Sequence, residues 1–153
     1  MPNLLIVSNC PSENTILLHN AVVEGCRHPD ITEISIRARQ PLQASHKDVL
    51  WAQGLILGTT ENFGYMSGQI KDFFERIYYP CLEKTEGLPV AIFIKGGLDG
   101  LGAKNSVERI ATGLKWKPIQ PTLIMTGSFK PEFIEQCRDL GTLMSAGLES
   151  GIF

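Results

Sequence analysis

The chain has 153 residues, of which 43% are hydrophobic and 20% charged; that is room for one folded domain over residues 1–153 and apolar surface enough to build its core, so intrinsic disorder and a second domain are not expected. A formal net charge of −2, with no run of Lys or Arg, lacks the basic footprint of a nucleic-acid binder. The longest apolar runs reach about five residues, far short of the roughly 20 that span a bilayer.

The amino terminus, Met1-Pro2-Asn3, enters an apolar run directly, without a basic region or a small-residue cleavage site, so export is not expected. Cys10, Cys26, Cys81 and Cys137 form no CxxC pair and no Cys/His cluster. This spacing suggests neither a metal site nor a dithiol centre and fits a reduced, cytoplasmic setting.

Leu4 to Val7 is a continuous apolar run, the pattern of a strand covered on both faces, and it stops at Ser8-Asn9-Cys10-Pro11-Ser12. Leu18, Val22 and Gly25/Cys26 then recur at helical spacing, with Ser12 able to cap the start and His28-Pro29 ending the run. Ile34-Ser35-Ile36 alternates like a strand at a sheet edge, and Lys47 to Ala52 predicts a short helix. Gly54 to Gly58 repeats the buried-strand pattern, and a loop is expected over Thr59 to Tyr65. Met66, Ile70, Phe73, Phe74 and Ile77 line one helix face, with Ser67 placed to cap it. Val90 to Ile94 is a fourth buried strand, followed by the glycine-rich Lys95 to Gly102 and a helix marked by Val107, Ile110, Ala111 and Leu114. Thr122 to Met125 is a fifth strand, and Pro131 suits the first turn of a last helix carrying Phe133, Cys137, Leu140, Met144 and Leu148.

Strands alternating with helices require right-handed crossovers, hence an α/β fold: a parallel five-stranded sheet with helices on both faces, expected in the order 2-1-3-4-5. In such a sheet ligands bind beyond the carboxyl ends of the strands, at the switch between strands one and three. Three loops, after Val7, Gly58 and Ile94, therefore matter. The first offers hydroxyls from Ser8, Ser12 and Thr15, the Asn9 and Asn14 amides and the N–H groups of a helix start, a set suited to phosphate. It has no Lys or Arg, so hydrogen bonds and the helix dipole would hold the anion; the same residues would also serve an ordinary capped turn. The second joins Phe63 and Tyr65 to Gly64, a flat apolar surface beside exposed backbone, which suits a planar heteroaromatic ring or mere packing.

The stretch Gly54–Arg76, with its Phe-Gly-Tyr-Met-Ser-Gly run, closely resembles the flavin-loop segment of the NAD(P)H-dependent FMN reductase and flavodoxin superfamily. Ser12-Glu13-Asn14-Thr15 is similar to its phosphate loop, and the likeness extends over the strand and helix order. The resemblance implies a single flavodoxin-like three-layer domain. It also implies that Ser8, Ser12, Asn14 and Thr15 bind the FMN phosphate, that Thr60, Asn62, Phe63 and Gly64 border the flavin ring, and that Lys95, Gly96 and Gly97 supply the third loop. By the same token the protein would be an oxidoreductase in which FMN takes hydride from NADH or NADPH and passes electrons to a small acceptor or a redox protein, with no side chain needed as acid or base. The alternatives are a flavodoxin-type electron carrier or FMN-binding regulator, and a flavin-free interaction protein, a reading motivated by Glu13 and Pro11. Carrier flavodoxins are strongly acidic, and a charge of −2 favours the reductase. Exposed helix faces leave room for a homodimer.

Other chemistries fit less well. Gly97 and Gly102 have P-loop spacing, but Ala103 stands where the lysine belongs. Cys10 lacks the downstream Arg of a low-molecular-weight tyrosine phosphatase, and a receiver domain would need Asp residues where none occur. His19, His28 and His46 have no sequence-adjacent partners and read as solvated or structural; Glu61 reads as a solvated loop carboxylate, with a role near the flavin as the other option. Asp99 and Lys104 could be loop charges or reach a cofactor edge.

Overall fold

The computed structural model describes all residues, Met1–Phe153. In chain order the elements are β1 (Asn3–Ser8), α1 (Glu13–Cys26), β2 (Ser35–Arg39), α2 (His46–Trp51), β3 (Gly54–Asn62), β4 (Tyr65–Met66), α3 (Gly68–Cys81), β5 (Pro89–Gly96), α4 (Leu101–Gly113), β6 (Lys117–Pro118), β7 (Leu123–Thr126) and α5 (Pro131–Glu149). The main path of the sheet is β2-β1-β3-β5-β6, with β7 pairing β5 and β4 pairing β3. The expected class therefore holds. The strand count does not: the sheet has seven strands, because two-residue β4 and β6 join the five long ones.

The alternation of side chains along each central strand divides the core in two. Leu5, Val7, Leu55, Leu57, Ile92 and Ile94 face the layer of α2, α3 and α4. Leu4, Ile6, Ile56, Ala91 and Phe93 face α1 and α5. Both faces being covered is why these strands read as unbroken apolar runs rather than alternating ones. The edge strand β2 is only half-buried.

Helices α1 and α5 touch backbone to backbone. A Cβ on Gly25 would lie 1.9 Å from the Arg138 carbonyl oxygen, and one on Gly141 would lie 2.1 Å from that of Val22. Two glycines thus set the helix separation, and the Ser145 hydroxyl seals the contact by donating to the Cys26 carbonyl at 2.8 Å.

The caps match the sequence. Ser12 caps α1, Ser67 caps α3 and Pro131 opens α5. The expected loop over Thr59 to Tyr65 is corrected: β3 continues to Asn62, and Tyr65–Met66 returns antiparallel against Glu61 and Asn62. Polar Thr59, Thr60 and Glu61 are held in the strand by β5 and by α4, neighbours that local sequence does not reveal.

Candidate functional site

Strand register brings the three loops together. Ser8 pairs with Gly58, Gly58 with Phe93, and Thr60 with Lys95, so the carboxyl ends of β1, β3 and β5 lie side by side at the point where the strand order reverses. Asn9 ties the first two loops: its backbone N–H donates to the Gly58 carbonyl at 3.0 Å and its side-chain amide donates to Thr60 Oγ1, also at 3.0 Å. The Thr60 hydroxyl passes the chain on, donating to Asn62 Oδ1 at 3.1 Å.

At the first loop, Ser12 and Thr15 hold each other. The Ser12 N–H donates to Thr15 Oγ1 at 2.9 Å and the Thr15 N–H donates to Ser12 Oγ at 3.3 Å. This reciprocal capping fixes the loop and leaves the N–H groups of Glu13 and Asn14, which have no acceptor within the helix, directed out of its amino end. Those donors, the exposed Asn14 side chain and the dipole of a 14-residue helix fit a phosphate. Ser8 is apart from this group. It is 2% exposed, and its hydroxyl is engaged by His19 Nδ1 and lies 3.6 Å from Cys10 Sγ. His19 is therefore structural but not solitary; its partner lies eleven residues away, on a different element.

The second loop is a hairpin tip. Phe63 and Gly64 both have positive φ, 54° and 71°, the signature of a type I′ turn. Glycine takes this backbone freely, whereas Phe63 is strained by about 1 kcal/mol. Its side chain is nevertheless fully exposed. A strained, bulky, uncovered aromatic has no packing reason to be there and marks a contact surface.

Three anchors aim the tip. A Cβ on Gly102 would lie 1.8 Å from the Gly64 carbonyl oxygen, so the hairpin rests directly on α4. The Met66 N–H donates to Ser106 Oγ at 3.2 Å. Glu61 accepts from the N–H groups of Gly100 and Ala103, both at 3.2 Å. Glu61 is thus neither solvated nor free for the flavin: its carboxylate fills the anion position at the start of α4, which disposes of a P-loop there.

The third loop contributes mainly backbone. Gly96 is buried and close to Gly100 and Glu61, whereas Gly97 is open. Lys95 donates to the Gly127 carbonyl at 2.7 Å and lies over the Phe133 ring, toward the β7–α5 connection. Asp99 accepts from the Leu101 N–H and Lys104 pairs with Glu108, so both are committed within their own element. Leu98, 84% exposed, is the apolar residue of this loop that sequence reasoning passed over.

Nothing else competes for chemistry. No group of three His, Cys, Asp or Glu side chains could hold a metal ion, and no helix is long and apolar enough to cross a membrane. Burial pushes the Cys10 thiol above its ordinary value, with a smaller opposing effect from Ser8, the opposite of the lowering that activates a nucleophilic cysteine.

A doubly wound sheet, a phosphate-ready helix start and an aromatic tip at the switch point define a flavodoxin-like FMN domain. The chain belongs to the NADPH-dependent FMN reductase family, whose model matches residues 16–130. That match covers the hairpin and the third loop and starts just after the first, whose fit to phosphate rests on the geometry above. A flavodoxin of Aquifex aeolicus (strain VF5) is 31% identical over 107 residues, which are 70% of this chain; the chain spans just over half, 56%, of that relative. Among solved structures, a flavodoxin from the domain Archaea superposes with a TM-score of 0.81 at 14% identity, covering 96% of this chain and 99% of the other. The flavodoxin, WrbA-like protein of Agrobacterium tumefaciens superposes with a TM-score of 0.72 at 16% identity, covering 99% of both. These two likenesses concern the fold.

Proposed function

We infer that the protein is an FMN-dependent oxidoreductase, reduced by NADH or NADPH and passing electrons to a small acceptor. The observation that carries this reading is the asymmetry of the rim. The β3–β4 hairpin presents fully exposed Phe63 with half-exposed Tyr65 beside it, while the third loop, Gly96, Gly97 and Leu98, carries no aromatic at all. A ring stacked against an aromatic on one side only, with a small-residue loop on the other, keeps a face open to a hydride donor.

In this reading the N–H groups of Glu13 and Asn14 and the Asn14 side chain hold the phosphate, with Ser12 and Thr15 shaping the loop. Ser8 supports the loop from below through His19. Thr60, Asn62, Phe63 and Gly64 border the ring, and Lys95, Gly96 and Gly97 close the third side. FMN, when bound, supplies the capacity to accept a hydride and release its electrons; the chain binds, orients and leaves one face uncovered. Glu13 is exposed, so its charge is screened by water. Four free thiols suit a reducing, cytoplasmic setting.

A second reading, an electron carrier, draws on the likeness to the Aquifex aeolicus flavodoxin. One experiment separates them. FMN is titrated into the purified protein and followed by flavin fluorescence quenching, and NADH or NADPH is then added without air. Saturable binding with bleaching of the visible flavin absorbance supports the reductase; binding without bleaching supports the carrier, and no binding overturns both.

A further inference from the structure

A second cleft, of about 320 Å³, opens beside the first loop on the β2 side. Its wall on one side is Cys10, Ile16 and His19, and on the other Arg39, Gln40 and Gln43, at and just beyond the carboxyl end of β2. Arg39 pairs in register with Val7, so it stands one strand spacing, about 5 Å, from the strand that leads into the first loop. One short segment therefore serves two places: its later part, Glu13 and Asn14, offers the N–H groups of the phosphate seat, and its earlier part walls the cleft.

Charge is divided unevenly between the two. The seat has no cation, and Glu13, an acid, is the one ionised side chain between Ser8 and Thr15. A phosphate monoester carries about two negative charges at neutral pH, whereas N–H groups and a helix dipole, equivalent to about half a charge, suit a singly charged phosphate better. The cleft next door is the reverse: no carboxylate lines it. Arg39 is exposed and has no acidic partner; its only protein hydrogen bond is to the adjacent Ala38 carbonyl. Arg37, two residues earlier, is by contrast paired with Asp48 at 2.9 Å.

The rest of the cleft suits a purine. Ile16, 46% exposed, supplies an apolar surface on the α1 side. Gln40 and Gln43 are exposed, and no protein group engages their side-chain amides; a glutamine amide matches the N6 and N7 edge of adenine with one acceptor and one donor. The turn that carries them is braced. Arg76 reaches across from α3 and donates to the Ala44 carbonyl at 2.6 Å and the Pro41 carbonyl at 2.7 Å, and the Gln43 N–H donates to the Gln40 carbonyl at 3.0 Å. A cation and two amides on a held turn form a preorganised receptor.

We propose that this cleft binds the adenylate half of a flavin dinucleotide, so that the protein holds FAD more tightly than FMN. The inference rests on the flavin reading of the neighbouring site, and on its placement of the flavin phosphate at the start of α1, not on reduction by a nicotinamide. In FAD the FMN half keeps that seat. Its phosphate, now joined to a second one, carries a single charge, which the cation-free seat accommodates, and the second charge falls to the Arg39 guanidinium, whose planar fork matches phosphate oxygens. Adenine then packs on Ile16 with its edge toward the glutamine amides. The added half leaves the seat toward β2, away from the ends of β1 and β3 that the FMN half occupies.

The test is calorimetry on the flavin-free full chain, titrated separately with FMN and with FAD. The expected result is that FAD binds at least about tenfold more tightly than FMN, and that Arg39→Gln removes about 10-fold or more of the FAD affinity while changing that for FMN by no more than about twofold. Gln43→Ala gives a smaller loss, again confined to FAD. Arg39 is exposed, so Arg39→Gln is expected to unfold at the wild-type temperature, and its FMN affinity checks independently that the first loop is intact. FAD binding no more tightly than FMN overturns the proposal and leaves the flavin reading standing. A preference for FAD that survives Arg39→Gln overturns it too, since the adenylate would then lie elsewhere, as does an equal loss of both flavins, which would make Arg39 a partner of the first phosphate. Binding of neither flavin overturns this proposal together with the flavin reading. None of these readouts uses turnover: a protein that prefers FAD through Arg39 yet is bleached by neither nicotinamide contradicts the reductase reading and not this cleft.

Discussion

Glu61 Oε1 accepts the backbone N–H of Gly100 at 3.2 Å, so a carboxylate on β3 caps the helix that follows β5. One residue thereby locks two of the three loops of the site together. Glu61→Ala should destabilise the fold by about 1–2 kcal/mol, through loss of the cap and two unsatisfied N–H groups, and Glu61→Gln by about half as much. Urea unfolding measures this; unchanged stability in Glu61→Ala would mean that the hairpin is not held by α4.

Gly102 tests the same junction from the other side. A helical Gly→Ala change usually gains up to about 1 kcal/mol. Here the added Cβ would lie 1.8 Å from the Gly64 carbonyl oxygen, so backbone must shift, at a cost of about 1–3 kcal/mol or more. The net expectation for Gly102→Ala is a lower Tm and weaker FMN binding; a raised Tm would contradict the packing.

Phe63 separates stability from function. Its side chain is fully exposed and its φ is 54°. Phe63→Gly should leave the fold as stable as wild type or up to about 1 kcal/mol more stable. FMN affinity should fall about tenfold, as expected for loss of an aromatic contact of roughly 0.5–1.5 kcal/mol together with its apolar area. If Phe63→Gly binds FMN as tightly as wild type, the tip does not border the ring.

His19 gives the protein a pH dependence of defined sign. Burial pushes its pKa below the ordinary value, so the folded state resists protonation at an imidazole that the unfolded chain protonates near pH 6.5. Unfolding then takes up a proton, and stability rises with pH as the solution passes upward through the window below about 6.5. Chemical unfolding from pH 5.5 to 7.5 should show this slope, and His19→Gln should flatten it. An identical slope in the variant would assign the dependence to other groups.

Thiol reactivity follows burial. Cys26, Cys81 and Cys137 are buried, and their thiols are pushed up to about 12, 11 and 12 respectively, chiefly by desolvation. Cys10 is partly exposed and also raised. At pH 7.5 the native protein should react slowly at Cys10 and not at the other three, while the denatured chain reacts at all four. Rapid labelling of more than one thiol in the native state would be inconsistent with this core.

Much of the fold could be read from the chain because its signals are local. Leu4 to Val7 and Gly54 to Gly58 are apolar without interruption because helices cover both faces of the strands they form, and Ser12, Ser67 and Pro131 mark helix starts by chemistry confined to one turn. Flavin-loop likeness was also legible, since Phe63, Gly64 and Ser67 lie within one short stretch. What the chain alone left open depends on partners distant in sequence. Glu61 meets residues 39 and 42 positions later, Asn9 meets Thr60 from 51 positions away, and Arg76 braces a turn more than 30 residues before it. Polar residues such as Thr59 and Glu61 look like loop until a neighbouring strand and a helix end satisfy them. The sequence by itself determined the cores of the five long strands, the starts of α1, α3 and α5 and the class of fold. Only the tertiary structure decided which carboxylate caps α4, where Ser8 and His19 turn, and which cation remains free beside the first loop, because these are choices among hydrogen-bond partners that exist only once the chain has brought them together.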